Sequence, residues 1–185
     1  MSKGKGGWVT VGTLVGVGGA AAAIAFFVNK IKTAAYEVAP SVFQRDPQTI
    51  LDAVAVVDPG HNPDLQPGAN GGADWCNKAL YLMLDDLGVP MPADTLANNQ
   101  ISYMASGADG WYAVSSPDDA QALALQGQVV VAAYYNPGGH GHVALVLPIA
   151  TSPMQIAQAG AATFNQGSLQ NGFGLLIKPL FFAHA

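Results

Sequence analysis

The chain has 185 residues, half of them apolar and only 10% charged, against the roughly 25% charge usual for soluble domains. Its net charge of −5, from 12 acidic and 7 basic residues, leaves no basic patch and argues against nucleic acid as a partner. The length fits one domain of ordinary size with an appendage, and 22 glycines and 12 prolines point to small-residue packing and uncharged loops.

The appendage comes first. Trp8 to Val28 runs 21 residues without a charge or a proline. At about 1.5 Å per residue a helix of that length just crosses a hydrocarbon core of roughly 30 Å. Lys3 and Lys5 lie on one side, Lys30 and Lys32 on the other, and Trp8 sits where an interfacial aromatic belongs. Residues 1–32 are therefore read as a single-pass membrane anchor, with Gly12 and Gly16 at the spacing of a self-associating helix face. A secretory signal peptide is the competing reading. Its apolar region is shorter, about 7–15 residues, and ends in a small-residue cleavage site instead of Asn29-Lys30-Ile31-Lys32. The lysines balance across the span, so no orientation follows.

Residues 33–60 read as a stalk and a helix. Asp46-Pro47 supplies an N-cap and a proline at the first helical position, and the apolar run Ile50 to Val57 continues until Asp58-Pro59-Gly60 breaks it. Residues 61–185 form the main domain. A Pro- and Gly-rich loop over 58–72 leads to Asp74, which reads as the cap of a helix to about Leu87, stopped by Gly88. Asp94 predicts a helix to Ser106, and Ser116-Pro117 another to Gln126. The character then changes. Gln128 to Tyr135, His142 to Leu147, Met154 to Ala159 and Phe173 to Ile177 read as strands, with Asn136 to Gly139 as a turn. Helices followed by a meander predict an α+β domain.

Cys76 is the only cysteine, so it can form no internal disulfide and makes a poor start for a metal site. It is either a small packed hydrophobe or a nucleophile. The spacing from Asp74 puts it at the second helical position, where unpaired backbone N–H groups and the helix dipole favour a thiolate over a thiol of ordinary pKa, about 8.5. Its own N–H there is placed to help bind an oxyanion. His142, opening an apolar strand, is the candidate base.

Trp75-Cys76 at a helix start and the later Gly141-His142-Val143-Ala144-Leu145-Val146 resemble the papain-like cell-wall hydrolases, the NlpC/P60 and CHAP group. The resemblance covers roughly residues 62–175 and extends to Ile156-Ala157-Gln158-Ala159-Gly160. It implies a papain-like fold, a nucleophile helix packed on an antiparallel sheet. It further implies Cys76 as nucleophile, His142 as base and later acid, and Gln158 as the residue orienting the imidazole, with Asn165 as second choice. Trp75, Trp111 and Asn165 become candidates for a substrate groove, although both tryptophans also suit packing over the nucleophile helix. The membrane span and the scarcity of charge depart from the group. No cofactor or metal is needed. The implied substrate is peptidoglycan stem peptide, cut by an enzyme seated in a virion's internal membrane or a bacterial envelope. A non-enzymatic structural protein of such a membrane, or an acyltransferase with the same Cys–His chemistry, are the alternatives.

Other features read as structural. His140 shares a strand face with His142 by period 2 and suits a turn, and Asn77 suits a solvent-facing first turn. Val56-Val57-Asp58-Pro59-Gly60-His61 resembles the opening of zinc-dependent muramoyl-alanine amidases. Those enzymes need two glutamates, and the one glutamate here, Glu37, lies before the motif. Asp85-Asp86 reads as the wet side of a helix, and Asp118-Asp119 as a first helical turn where acids suit the dipole.

Overall fold

The computed structural model describes residues 45–69 and 75–185. The anchor at 8–28, the stalk and the Asp74 cap lie outside these residues. Among those described, no helix is long and apolar enough to cross a membrane.

The domain is α+β. Its helices are α1 (Pro47–Val57), α2 (Cys76–Asp86), α3 (Ala97–Ala105), α4 (Pro117–Leu125) and the short α5 (Leu169–Phe173). Its strands are β1 (Tyr112–Val114), β2 (Val129–Tyr134), β3 (His142–Val146), β4 (Gln155–Gln158), β5 (Phe164–Ser168) and β6 (Leu180–His184). They form one antiparallel sheet in the order β1-β6-β2-β3-β4-β5.

Two caps work as the sequence predicts. The Asp46 carboxylate accepts from the Gln48 N–H at 2.9 Å and Pro47 opens α1. Ser116 Oγ accepts from the Asp119 N–H at 3.1 Å, with Pro117 at the first position of α4. Asp58 ends α1 in the left-handed conformation, φ 48°, and its N–H returns to the Val54 carbonyl.

The sheet is covered on both faces. One core joins α1, α2 and α3 to Val129, Val131, Ala133, Val143, Leu145 and Ala157. The other sets Ala120, Leu123 and Ala124 of α4, and Phe173 of α5, against Val130, Ala132, Ala144, Val146 and Ile156. With both faces dry, β2 and β3 need no polar alternation, which is why they read as continuous apolar runs.

Several boundaries differ from the sequence reading. Helix α3 starts at Ala97, not Asp94, because Asp94 takes φ 52° in a turn that a helix cannot include. The segment expected as a strand at 173–177 is not one. Ser168 accepts from the Asn171 N–H at 3.2 Å and caps α5, which ends at Gly174 with φ 76° and leaves Leu175 and Leu176 exposed. The fourth strand of the meander is instead β5, whose Phe-Asn-Gln-Gly-Ser sequence carries little apolar signal. Strand β6, unforeseen, lies inside the sheet between β1 and β2.

Ser116→Ala removes the α4 cap and is expected to cost about 1 kcal/mol. A lower denaturant midpoint with unchanged slope checks this.

Candidate active site

Antiparallel pairing of β3 with β4 puts the first residue of one strand, His142, at the same end of the ladder as the last residue of the other, Gln158. His142 Nε2 lies 2.6 Å from Gln158 Oε1. The glutamine is only 2% exposed, and its Nε2 donates to the Ala162 carbonyl at 3.0 Å. A carbonyl can only accept, so the amide nitrogen is held at Ala162 and its oxygen is turned to the ring. The network thus assigns the proton to His142 Nε2, which donates to Gln158. In the neutral imidazole Nδ1 then keeps the lone pair.

Packing fixes this pair further. The His142 ring meets Phe173 edge-on, centroids 4.8 Å apart at 67°. Gly172, one residue earlier on α5, has no side chain for a close reason: a Cβ there would stand 2.5 Å from Gln158 Oε1.

Cys76 is the first residue of α2, one position earlier in the helix than its expected place, with Trp75 as the capping residue and no side-chain cap bond. At that position its backbone N–H belongs to the group left without intrahelical partners. Helix α2 packs on β3 and β4, the two strands that carry His142 and Gln158. Cys76 is 6% exposed and belongs to the core between the helices and the sheet. Strand periodicity sets His142 with Ala144 and Val146, toward α5. Cysteine and histidine thus enter from different layers, each as the first residue of its element.

The remaining candidates separate. Trp75 is half-buried, donates from its indole to the Ala69 carbonyl at 3.3 Å and lies under Lys78 Nζ, 5.3 Å from the ring centroid. Trp111 does not line a groove. It is 2% exposed, donates to the Pro90 carbonyl at 3.0 Å and packs on His184, so its bulk serves the core. Asn165 is not at the imidazole either. Its Nδ2 donates to Asp58 Oδ1 at 2.6 Å and its Oδ1 accepts from the Gly60 N–H at 2.7 Å, tying β5 to the loop after α1. Asn77 is no solvent-facing residue, since its Nδ2 donates to the Thr95 carbonyl at 2.8 Å. His140 is exposed in the β2–β3 turn, and His61 is exposed beside Asp58 at 2.9 Å. Among the described residues no three His, Cys, Asp or Glu side chains gather as a metal site.

Sequence reasoning missed two amides on α3. Asn98 holds the turn before His142: its Nδ2 donates to the carbonyls of Asn136, at 2.7 Å, and Gly139, at 2.9 Å, while its Oδ1 accepts from the Asn136 N–H at 3.1 Å. Gln100, 1% exposed, donates from Nε2 to the Asn77 carbonyl at 3.0 Å, and its Oε1 meets no hydrogen-bond partner among the described residues. An Asn and a Gln on a polar-looking helix give no sequence signal for partners so distant.

No protein-family model matches the chain, and no curated protein sequence matches it.

In 15N-resolved NMR, neutral His142 is expected as the Nε2–H tautomer. Gly172→Ala, by displacing the Gln158 amide, should mix the tautomers and broaden the Nε2–H signal. A second expectation concerns acid. The bond from Asn165, then that from His61, hold the Asp58 carboxyl below its usual range. A depressed carboxylate pKa contributes stability that is complete above the unfolded value, about 3.9, and is lost as pH falls through the lower folded value. The melting-temperature gap between wild type and Asn165→Ala should therefore narrow from pH 6 toward pH 3.

Proposed function

We propose that this chain is a membrane-anchored cysteine peptidase or amidase that cleaves amide bonds in peptidoglycan stem peptides, its α+β domain arranged as in the papain-like cell-wall hydrolases. The observation that carries the reading is the His142–Gln158–Ala162 chain, in which a buried amide, held in place by the Ala162 carbonyl, orients an imidazole and fixes its tautomer. It is supported by Cys76 opening the helix that packs on the same two strands, and by the matching order of cysteine, histidine and amide along the chain.

In this mechanism Nδ1 of His142 takes the Cys76 proton and the thiolate attacks the amide carbon. The Cys76 N–H donates to the oxyanion that forms. Collapse of that intermediate breaks the C–N bond as His142 Nδ1–H protonates the leaving amine, giving a thioester. Water, deprotonated by His142, then attacks the thioester and releases the acid and the thiol. Gln158 is neutral, so it steadies the imidazolium through one hydrogen bond and not through charge. No cofactor enters. The span at 8–28 would hold the domain at a bilayer, a virion's internal membrane or a bacterial envelope, and Gly12 and Gly16 would serve self-association.

Burial of Cys76 favours a second reading, a non-enzymatic structural membrane protein that retains the fold. The two separate on digestion of purified peptidoglycan by the full chain in detergent, with fragments identified by mass spectrometry. New peptide ends are expected from wild type and none from Cys76→Ala. His142→Ala should lower kcat at least about 100-fold, and Gln158→Ala about 10- to 100-fold with KM little changed. Release that survives in Cys76→Ala would remove the cysteine mechanism. A folded wild type inert on several wall types would favour the structural protein.

A further inference from the structure

The two halves of the Cys76–His142 pair sit in different layers, and one helix is bonded to the backbone beside each. From α3, Asn98 ties down the β2–β3 turn through three hydrogen bonds, to the carbonyls of Asn136 and Gly139 and from the Asn136 N–H. That turn leads through Gly141 into His142. Gly141 has φ 69°, and any Cβ on it would collide with Asn98 Oδ1 and the Tyr134 carbonyl. The asparagine and the glycine are thus fitted to each other directly before the base. Two positions along α3, Gln100 Nε2 donates to the carbonyl of Asn77, the residue after the nucleophile. Asn77 completes the link by donating to the Thr95 carbonyl, in the turn from which α3 starts.

We infer that α3 is a brace that sets the separation of nucleophile and base, with Asn98 and Gln100 as positioning residues. The inference rests on the Cys–His reading of the site. Gln100 gives the sharper argument. A methionine would fill nearly the same volume without burying an amide whose oxygen meets no partner among the described residues. The amide is therefore poorly suited to packing and well suited to holding the first turn of α2.

The test uses the full chain in detergent, with Gln100→Met and Asn98→Ala beside wild type. Three quantities are measured: melting temperature, kcat and KM on peptidoglycan stem peptide, and the pH profile of Cys76 alkylation by iodoacetamide. A Cys76 paired with His142 reacts as a thiolate well below the range of an ordinary thiol. Gln100→Met is expected to keep or raise the melting temperature while kcat falls about 10- to 100-fold and KM stays within about twofold. Asn98→Ala should lower kcat similarly, and both variants should move the alkylation profile toward that of an ordinary thiol. Unchanged kcat and alkylation in both, or losses that simply track a lowered melting temperature, would overturn the brace. If wild type releases no wall fragments yet both variants still move the profile, the hydrolase reading fails and the brace stands. An ordinary thiol profile in wild type would overturn both.

Discussion

Val129 through Ala133 meet no water on either side, and the same holds for Val143 to Val146 beside them. Strands dry on both faces, as β2 and β3 are, can carry polar side chains only near their ends, because a polar group in the middle would be buried without partners. His142 and Gln158 occupy those end positions, where the ring bonds the amide oxygen and the amide nitrogen bonds the Ala162 carbonyl. The placement of the candidate site is thus a consequence of how the core is built. So is the crowding around it: α5 can approach closely only because position 172 lacks a side chain.

The chain does with amides what other proteins do with charges. Asn98 fixes the turn before the histidine, Gln100 and Asn77 join α3 to α2, Gln158 holds the ring, and Asn165 ties β5 to the Asp58 loop. Gln66 adds a link of the same kind, donating to the Pro59 and Asn62 carbonyls and accepting from Thr163 Oγ1 at 2.9 Å. An amide donates and accepts at once and does not itself titrate, so of these links only the one from Asn165 to the Asp58 carboxylate is sensitive to acid. This accounts for how so lightly charged a chain can hold its loops in place.

What the sequence disclosed, and what it hid, follows from the range of the interactions involved. Helices α1 and α4 were legible because Asp46-Pro47 and Ser116-Pro117 set their starts locally, and β2 and β3 because dry strands read as apolar runs. Strand β1 is only three residues long, β5 is polar, and β6 follows Lys178-Pro179; each is specified by its neighbours in the sheet. The α3 start was misplaced because nothing local distinguishes an aspartate capping a helix from one in a left-handed turn. At the site, Cys76, His142 and Gln158 stood out by residue type and order. Asn98 and Gln100 did not, since their partners lie 38 and 23 positions away. Trp111 and Asn165 were plausible by type and are engaged elsewhere by tertiary contacts.

The position of β6 has a consequence for how the domain comes into being. Residues 180–184 are paired on one side to β1 and on the other to β2, so the sheet has a gap at its interior until they arrive. A chain in which β2 and β3 have paired but β6 has not yet docked leaves the outer edge of β2 an open row of backbone donors and acceptors. That edge is apolar and almost free of charge, the kind that invites pairing with another nascent copy. Until β6 docks, that uncovered edge is where two copies of the chain would most readily pair, so a partly folded pool is more prone to aggregate than the finished domain.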